Sequence, residues 1–568
     1  MKHFLVIIIA LFLGGSLSFS QENKKIIIKS AGSFNQDENR LPGAKIVSSR
    51  GNVRVQLAHE GVDVWSDRAV YQGEKNFFRA YGNVVLKQGD TVTMTSNYIE
   101  YDGNTKLAIS REKVNLKTPE HTLDTDTLYF DRNKQQAFYN DGGTVRDSAT
   151  TLKSKRGKYF LEINKYEFLS DVEIRNPEYE LNSTKLDYYT DSKHAYMYGP
   201  STIIGEEYDI YCERGFYDTE KEEGFFIKNS TINYNNRKIQ GDSLYFDNIR
   251  EFSSASNNIT LTDTINKTIV RGHYAEVFKA RDSAFITKRA VAINLVEQDS
   301  MYIHADTLMV TGPEDNRIIR GFRGVKFYKT DLSGKCDSIH VNQKIGLTKM
   351  LRRPIIWNGE NQMTGDTVHL LSNTETEKLD SLKVINNAFV VQKDSLSDGG
   401  YNQVKGINLL GKFEENELKL ADMIKNPEMI YYVYADDGEF IGINKTICNL
   451  KIRMEMSPEE GIQDVTFFGE PNGDIFPEKD LPKNARRLRG FQWYGDEMIA
   501  SKEDIFDEED NNIELPVIRG IDQPFDFDFD EDLIDLESKK QEEEEKKKLP
   551  AQKTPKAIEP NTPKKPVQ

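Results

Sequence analysis

The chain has 568 residues, 38% of them apolar and 29% charged, with 26 tyrosines and 30 phenylalanines. Single domains usually run about 100–200 residues, so this length requires several domains or one extended repeat array; the aromatic content excludes a wholly disordered chain, and the low apolar fraction excludes a polytopic membrane protein. Lys and Arg number 75 against 91 Asp and Glu, and the resulting net charge of −16 argues against nucleic acid as a partner.

At the N-terminus, Lys2 and His3 precede an apolar run from Phe4 to Leu13, which Gly14 and Gly15 break before small residues lead to Ser20. That pattern predicts a secretory signal peptide over residues 1–20. The run is short of the about 20 apolar residues that span a bilayer; the alternative is an uncleaved membrane anchor. No cysteine stands near the expected cut before Gln21, and no later segment is long and apolar enough to span. The expectation is an exported chain in the periplasm, with residues 21–44 as a lead-in.

From residue 45 to 420 a unit of about 30 residues recurs. Its mark is Asp-(Ser/Thr)-apolar-x-apolar: Asp126-Thr127-Leu128-Tyr129-Phe130, Asp242-Ser243-Leu244-Tyr245-Phe246, Asp306-Thr307-Leu308-Met309-Val310, Asp337-Ser338-Ile339-His340-Val341 and Asp366-Thr367-Val368-His369-Leu370. Weaker copies include Ile99-Glu100-Tyr101-Asp102 and Leu186-Asp187-Tyr188. A second unit lies out of phase with the first: Gly82-Asn83-Val84, Asp171-Val172-Glu173-Ile174, Asn258-Ile259-Thr260-Leu261 and Gly324-Val325-Lys326-Phe327. Each unit alternates apolar and polar residues with the period of a strand, and no long helical pattern interrupts them. A repeat that exposes one apolar face buries it by stacking on its neighbours, so the array is expected to be all-β and quasi-one-dimensional.

In this array Leu128 and Phe130, Val172 and Ile174, Leu244 and Phe246, and Leu308 and Val310 take the inward set. Ile99 and Tyr101 join them from a weaker copy. Tyr129, Tyr245, Met309, His340 and His369 fall on the opposite face. Two readings of the inward row stand open: a dry structural core, or an apolar trough between two sheets that do not fully close. The Asp that opens each unit is expected to sit at a corner and bond its own backbone.

Residues 421–500 keep strand character and form a β extension or cap. Within it, Arg486-Arg487-Leu488-Arg489 reads as a capping segment or as a site for a phosphorylated head group. Residues 501–568 carry 20 acidic and 11 basic residues and read as an acidic, then Lys/Pro-rich, disordered tail. The acidic-aromatic stretch from Asp522 to Asp530 within it suits a short docking motif.

Other chemistry is thin. Cys212, Cys336 and Cys448 are too scattered for a disulfide framework, and at most one bridge can form. The eight histidines show no paired spacing. Gly406 to Lys412 has phosphate-loop spacing, but Phe413 stands where a Ser or Thr is needed. No catalytic residue, cofactor or metal is expected.

The signal peptide, the Gly-Asn-Val turns and the repeated Asp-Thr-Leu-Tyr-Phe-Asp strands together resemble the organic-solvent-tolerance (OstA-like) family. That family includes the periplasmic bridge protein of lipopolysaccharide transport and the periplasmic domain of its outer-membrane receiver. The resemblance covers roughly residues 45–420. It implies an elongated antiparallel β-jellyroll, or taco, whose V-shaped interior takes acyl chains, so that the ten inward residues line a lipid groove. It also implies lipopolysaccharide or a related glycolipid as cargo, end-to-end strand pairing with other transport proteins, and peripheral contact with membrane proteins. The chain is much longer than the bridge protein and lacks the receiver's barrel strands. The competing readings are a secreted β-solenoid enzyme acting on polysaccharide, which needs a carboxylate cluster on one groove, and a cell-envelope scaffold, which needs an anchoring region.

Overall fold

Alternation over four to six residues, then a turn, then alternation in the same phase is satisfied by strands stacked side by side, and where the turn is a tight hairpin the neighbours are antiparallel. The computed structural model describes residues 25–516 and 519, apart from 37, 39–40, 235, 266, 297–298, 331, 377, 398, 416 and 458–460. Among the described residues there is no α-helix, and 40 strands from Ile27 to Phe476 join one antiparallel sheet. The chain divides into two units, Met1–Arg519 and Gly520–Gln568. The second unit, with its acidic-aromatic stretch, lies outside the described residues, as does the expected signal peptide.

The sheet is folded on itself at a line of corners. Strand Phe77–Gln88 shows how. Its burial alternates on either side of Gly82 and Asn83, both with positive φ (74° and 42°). The ladder to the next strand reads Tyr81↔Tyr98, then Val84↔Ser96, so two residues oppose one. Such a bulge bends the strand and re-aims its second half. The residues before the corner pair within one wall, beside Arg68–Gln72; those after it pair within a second wall, beside Val62–Ser66. The same left-handed doublet recurs at Glu112-Lys113, Ser170-Asp171, Lys228-Asn229, Asn257-Asn258 and Lys288-Arg289, and onward to Lys425-Asn426. In section the walls form a V, closed at the corners and bounded by two rows of hairpins at the rims. This is the antiparallel β-jellyroll, or taco, expected from the sequence.

The opening Asp of each motif sits at this corner, but its partner differs from the expectation. Asp242 accepts from Asn257 and Asn258 of the next corner at 2.6 and 2.8 Å. Asp366 accepts from Asn387 at 3.0 Å, Asp306 pairs with Arg323 at 2.6 Å, and Asp337 pairs with Arg352 at 3.1 Å. These four aspartates thus stitch their corners to the next, because the corner doublet swings its side chains over the preceding strand. Backbone-capping aspartates do occur, one row away. At the first rim, Asp102, Asp131 and Asp218 accept backbone N–H groups two and three residues on.

Beyond Phe476 the chain leaves the sheet and runs back along the outer face of the second wall. Leu481 and Leu488 bury themselves against Phe389, Val391, Ile430 and Ile443. Ile499 and Ile505 do the same against Val291 and Ile293. Two outward glutamines hold the strap by both ends of their amides. Gln403 donates to the Arg486 carbonyl and accepts from the Leu488 N–H; Gln362 donates to the Gln492 carbonyl and accepts from the Tyr494 N–H. The basic run is part of this packing: Arg486 donates to Glu478 and the Leu481 carbonyl, and Arg487 lies over Tyr401 and Phe491. Residues 501–516, expected to open a disordered tail, also pack on the sheet, with Ile505 at 1% exposure. The three cysteines are buried and unpaired, and Gly406 to Phe413 lies inside strand Tyr401–Glu414 rather than on a loop.

The corner doublet gives a direct test. Asn258→Val places a β-branched residue at φ 50° and removes the bond to Asp242. It is expected to cost about 1–2 kcal/mol, read as a lower urea midpoint with an unchanged slope.

Candidate functional site

The inward faces of the two walls make one continuous apolar layer from Ile26 to Met454, yet it is filled in two different ways. Through the first part of the chain the space is taken by rings. Tyr139, Tyr159, Tyr166, Tyr188 and Tyr217 are all fully buried there. Glycines make room for them: a Cβ on Gly143 or on Gly157 would stand 2.4 Å from the Tyr139 ring or its hydroxyl. Tyr159 and Tyr166 stack at 4.3 Å, and His121 meets both edge-on. Burial pushes the Tyr139 hydroxyl up to about 12 and lowers the His121 imidazole to about 4, so both stay neutral at physiological pH.

Past Ile232 the filling changes. The inward positions of the following strands carry Val270, Ala275, Val277, Ala284, Ile286 and Ala292, and a cavity of about 230 Å³ opens between the walls. Gly272 allows Ile286 to approach, since a Cβ there would stand 2.7 Å from it. Small side chains on both facing walls leave space that no ring fills. The cavity reaches the rims, where Arg237 and Asp263 line it from the second wall and Lys279 and Arg317 from the first.

All ten inward candidates lie between the walls, but the structure separates them. Ile99, Tyr101, Leu128, Phe130, Val172, Ile174 and Leu244 are buried within the packed layer, away from the cavity lining. Phe246, Leu308 and Val310 line the cavity. Tyr101 also anchors a polar contact, its hydroxyl meeting His59 Nδ1 and Arg132 at 2.8 Å each. Among the cavity residues that the motif does not mark are Ala275, Ala284 and Ala292; their signal is small residues at positions of a strand pattern that are bulky elsewhere.

The mouth of the V is crossed by pairs that join rim to rim, always with the cation on the first rim and the acceptor on the second. Lys106 meets Glu60 at 2.6 Å, Lys193 meets Asp147 at 2.9 Å, and Lys279 meets Glu207 at 2.6 Å. Arg132 donates to the Glu60 carbonyl at 3.0 Å, and Arg317 pairs with Asp263. The hydrogen bond from Lys106 holds the Glu60 carboxyl below its usual range. At Asp147 burial works upward, but the Lys193 ammonium and the N–H groups of Ala149 and Thr150 outweigh it and the net shift is downward.

A carboxylate held below its ordinary range stabilises the fold at pH above its unfolded value, and that contribution is lost as pH falls through the lower, folded value. Asp147→Asn is therefore expected to flatten part of the drop in Tm on acidification below about pH 4, by an amount on the order of 1 kcal/mol or less. Thermal unfolding followed by circular dichroism across that range checks it; an identical pH slope in the variant overturns it.

Known proteins share features of this chain. The family described as OstA-like protein matches residues 23–184. No curated protein matches the sequence. Among solved structures, the chain is similar to LptH from Pseudomonas aeruginosa, described as the LptA homologous periplasmic component of the conserved lipopolysaccharide transport device. The identity is 15%, the match covers 24% of this chain and 79% of that one, and the TM-score is 0.13. The matched residues 23–184, which supply the first repeats of the folded sheet, are thus similar to the OstA-like proteins.

Proposed function

We propose that this protein is a periplasmic carrier, without enzymatic activity, that shields the acyl chains of lipopolysaccharide or a related glycolipid between its walls on the way to the outer membrane. The observation that carries this reading is the apolar cavity between the walls beyond Ile232, open toward the rims. Burying a methylene is worth roughly 0.8 kcal/mol, so a twelve-carbon tail left in water costs on the order of 10 kcal/mol. A slot that buries as much surface ahead as it exposes behind keeps each step of transfer nearly level, and no reactive group is needed for it. The reading gives the tails to the alanine-lined stretch, with Phe246, Leu308 and Val310 among its walls, and gives the tyrosine-filled stretch the role of packed scaffold.

Open sheet edges support the partner part of the proposal. At the N-terminal end, Ser33–Gln36 pairs only with Ala44–Ser48 among the described strands, and all four of its residues are exposed. At the other end, Gly461–Phe468 pairs only with Lys451–Ser457, and Asn472–Phe476 only with Phe440–Ile447, again among the described strands. Unpaired edges of this kind accept a further strand, so neighbouring transport proteins of like fold would continue the sheet end to end.

Two measurements test the proposal. Lipid extracted from the purified full chain is expected to contain glycolipid, and Ala275→Trp or Ala292→Trp, which fill the cavity, to deplete it at least severalfold while Tyr139→Phe does not. Protein that folds yet carries no lipid in any form counts against the reading. A photo-crosslinker at Phe34 or Ile475, on the edge strands, is expected to trap envelope transport proteins in cells; adducts at neither end would remove the partner claim.

A further inference from the structure

One ion pair at the mouth above the cavity is built differently from the other rim-to-rim pairs. The Lys106–Glu60 and Lys279–Glu207 pairs keep a quarter or more of their side-chain surface in water. Arg317 and Asp263 do not: their side chains are 7% and 6% exposed, and both line the cavity. A buried ion pair is a poor source of stability, because desolvation offsets the attraction and apolar replacements often do as well. Its geometry here is also incomplete. Asp263 engages Nη1 of Arg317, while the buried Nε–H of the same guanidinium has no hydrogen-bond partner. A guanidinium is a planar fork of five N–H donors matched to two oxygens of a phosphate or carboxylate. An unused donor edge of that fork, sealed at the lip of an apolar cavity, suits an oxyanion whose hydrocarbon continues inward. Lys279 and Arg237 bring two more cations to the same lip. Asp247, Glu251 and Asp282 also line it; Asp247 is turned to its own hairpin, accepting the Arg250 N–H at 2.8 Å, and Glu251 stands 3.9 Å from Lys279 on the same rim.

We infer that Arg317, with Lys279 and Arg237, binds the phosphate of a lipid headgroup at this mouth, and that the headgroup displaces Asp263 from Arg317. The inference rests on the reading that tails occupy the cavity, and adds to it the class of headgroup: anionic, phosphate-bearing, attached directly above the chains. Asp263 then acts as a stand-in anion that keeps the mouth shut when no lipid is present.

Calorimetric titration of the full chain with dioctanoyl phosphatidic acid, dioctanoylglycerol and inorganic phosphate separates the possibilities. The phosphatidic acid is expected to bind at least tenfold more tightly than the glycerol, with an advantage that shrinks as salt rises, and inorganic phosphate to bind far more weakly than either. Arg317→Met is expected to abolish the advantage and Asp263→Asn to increase it. Arg317→Met with Asp263→Leu, which replaces the pair by apolar side chains, supplies a folded control if either single variant fails to fold. Equal affinity for the two lipids overturns the headgroup assignment and leaves the carrier reading standing. Phosphate binding as tight as phosphatidic acid overturns the lipid source of the anion. Binding of neither lipid overturns the carrier reading and this inference with it.

Discussion

Everything in this fold depends on one local event repeated along the chain: two consecutive residues held in the left-handed region in the middle of a strand. For an L-residue that conformation costs about 1–2 kcal/mol, and at corners such as Gly82-Asn83, Glu112-Lys113, Asn257-Asn258 and Lys288-Arg289 two residues adopt it, most of them not glycine. The cost is offset because the bulge turns one sheet into two facing walls, so that each strand buries its inward side chains against its own second half and its neighbours'. The Asp-to-Asn and Asp-to-Arg bridges tie successive corners into a row, at Asp242 with Asn257 and Asn258 and at Asp306 with Arg323. A corner that moved by one residue would send its strand's apolar set outward, which explains why corner spacing holds so closely in the first half of the chain.

The two halves of the interior differ in a way that side-chain volume alone explains. Glycine beneath Tyr139 and alanine at 275, 284 and 292 are both small residues on a wall. In the first case a ring from the adjacent strand lies over the gap; in the second no bulky partner faces it, and a cavity remains. The family resemblance in sequence covers 23–184, within the ring-filled part, whereas the space that can admit a guest lies beyond it. The match therefore lies on the ring-filled stretch, and the cavity has to be read from packing.

The strap from Pro477 onward resolves a problem that the sheet creates. The outer face of the second wall carries apolar residues, Val291, Ile293, Phe389 and Ile430 among them, which in a plain jellyroll would face water. Leu481, Leu488, Ile499 and Ile505 cover them, and Gln362 and Gln403 bind the strap backbone as a neighbouring strand would. With its backbone bound by side chains, the strap needs no regular structure of its own, and its 3₁₀ turns suffice.

Period-two alternation is enough to give the all-β class and the inward face of Leu128, Phe130, Val172, Ile174, Leu244 and Leu308, because which side of a strand a residue faces is a local property; the antiparallel sense came from the family resemblance. Some corners are also legible: Gly82-Asn83 and Asn257-Asn258 are residue types that tolerate positive φ, although Glu112-Lys113 and Lys288-Arg289 are not. The Asp column is visible as a motif, but its partners are not, since they come from the following strand. The strap's basic run reads as a capping segment, but where the strap packs leaves no mark in the sequence pattern because it has no period. Filling and latching lie wholly outside the reach of a linear reading. Whether an apolar row is plugged or hollow depends on the summed volumes of two walls, and Arg317 meets Asp263 across 54 residues of sequence only because both rims close over the same gap. The amino-acid order determined the faces of the strands; the fold of the sheet decided what those faces enclose.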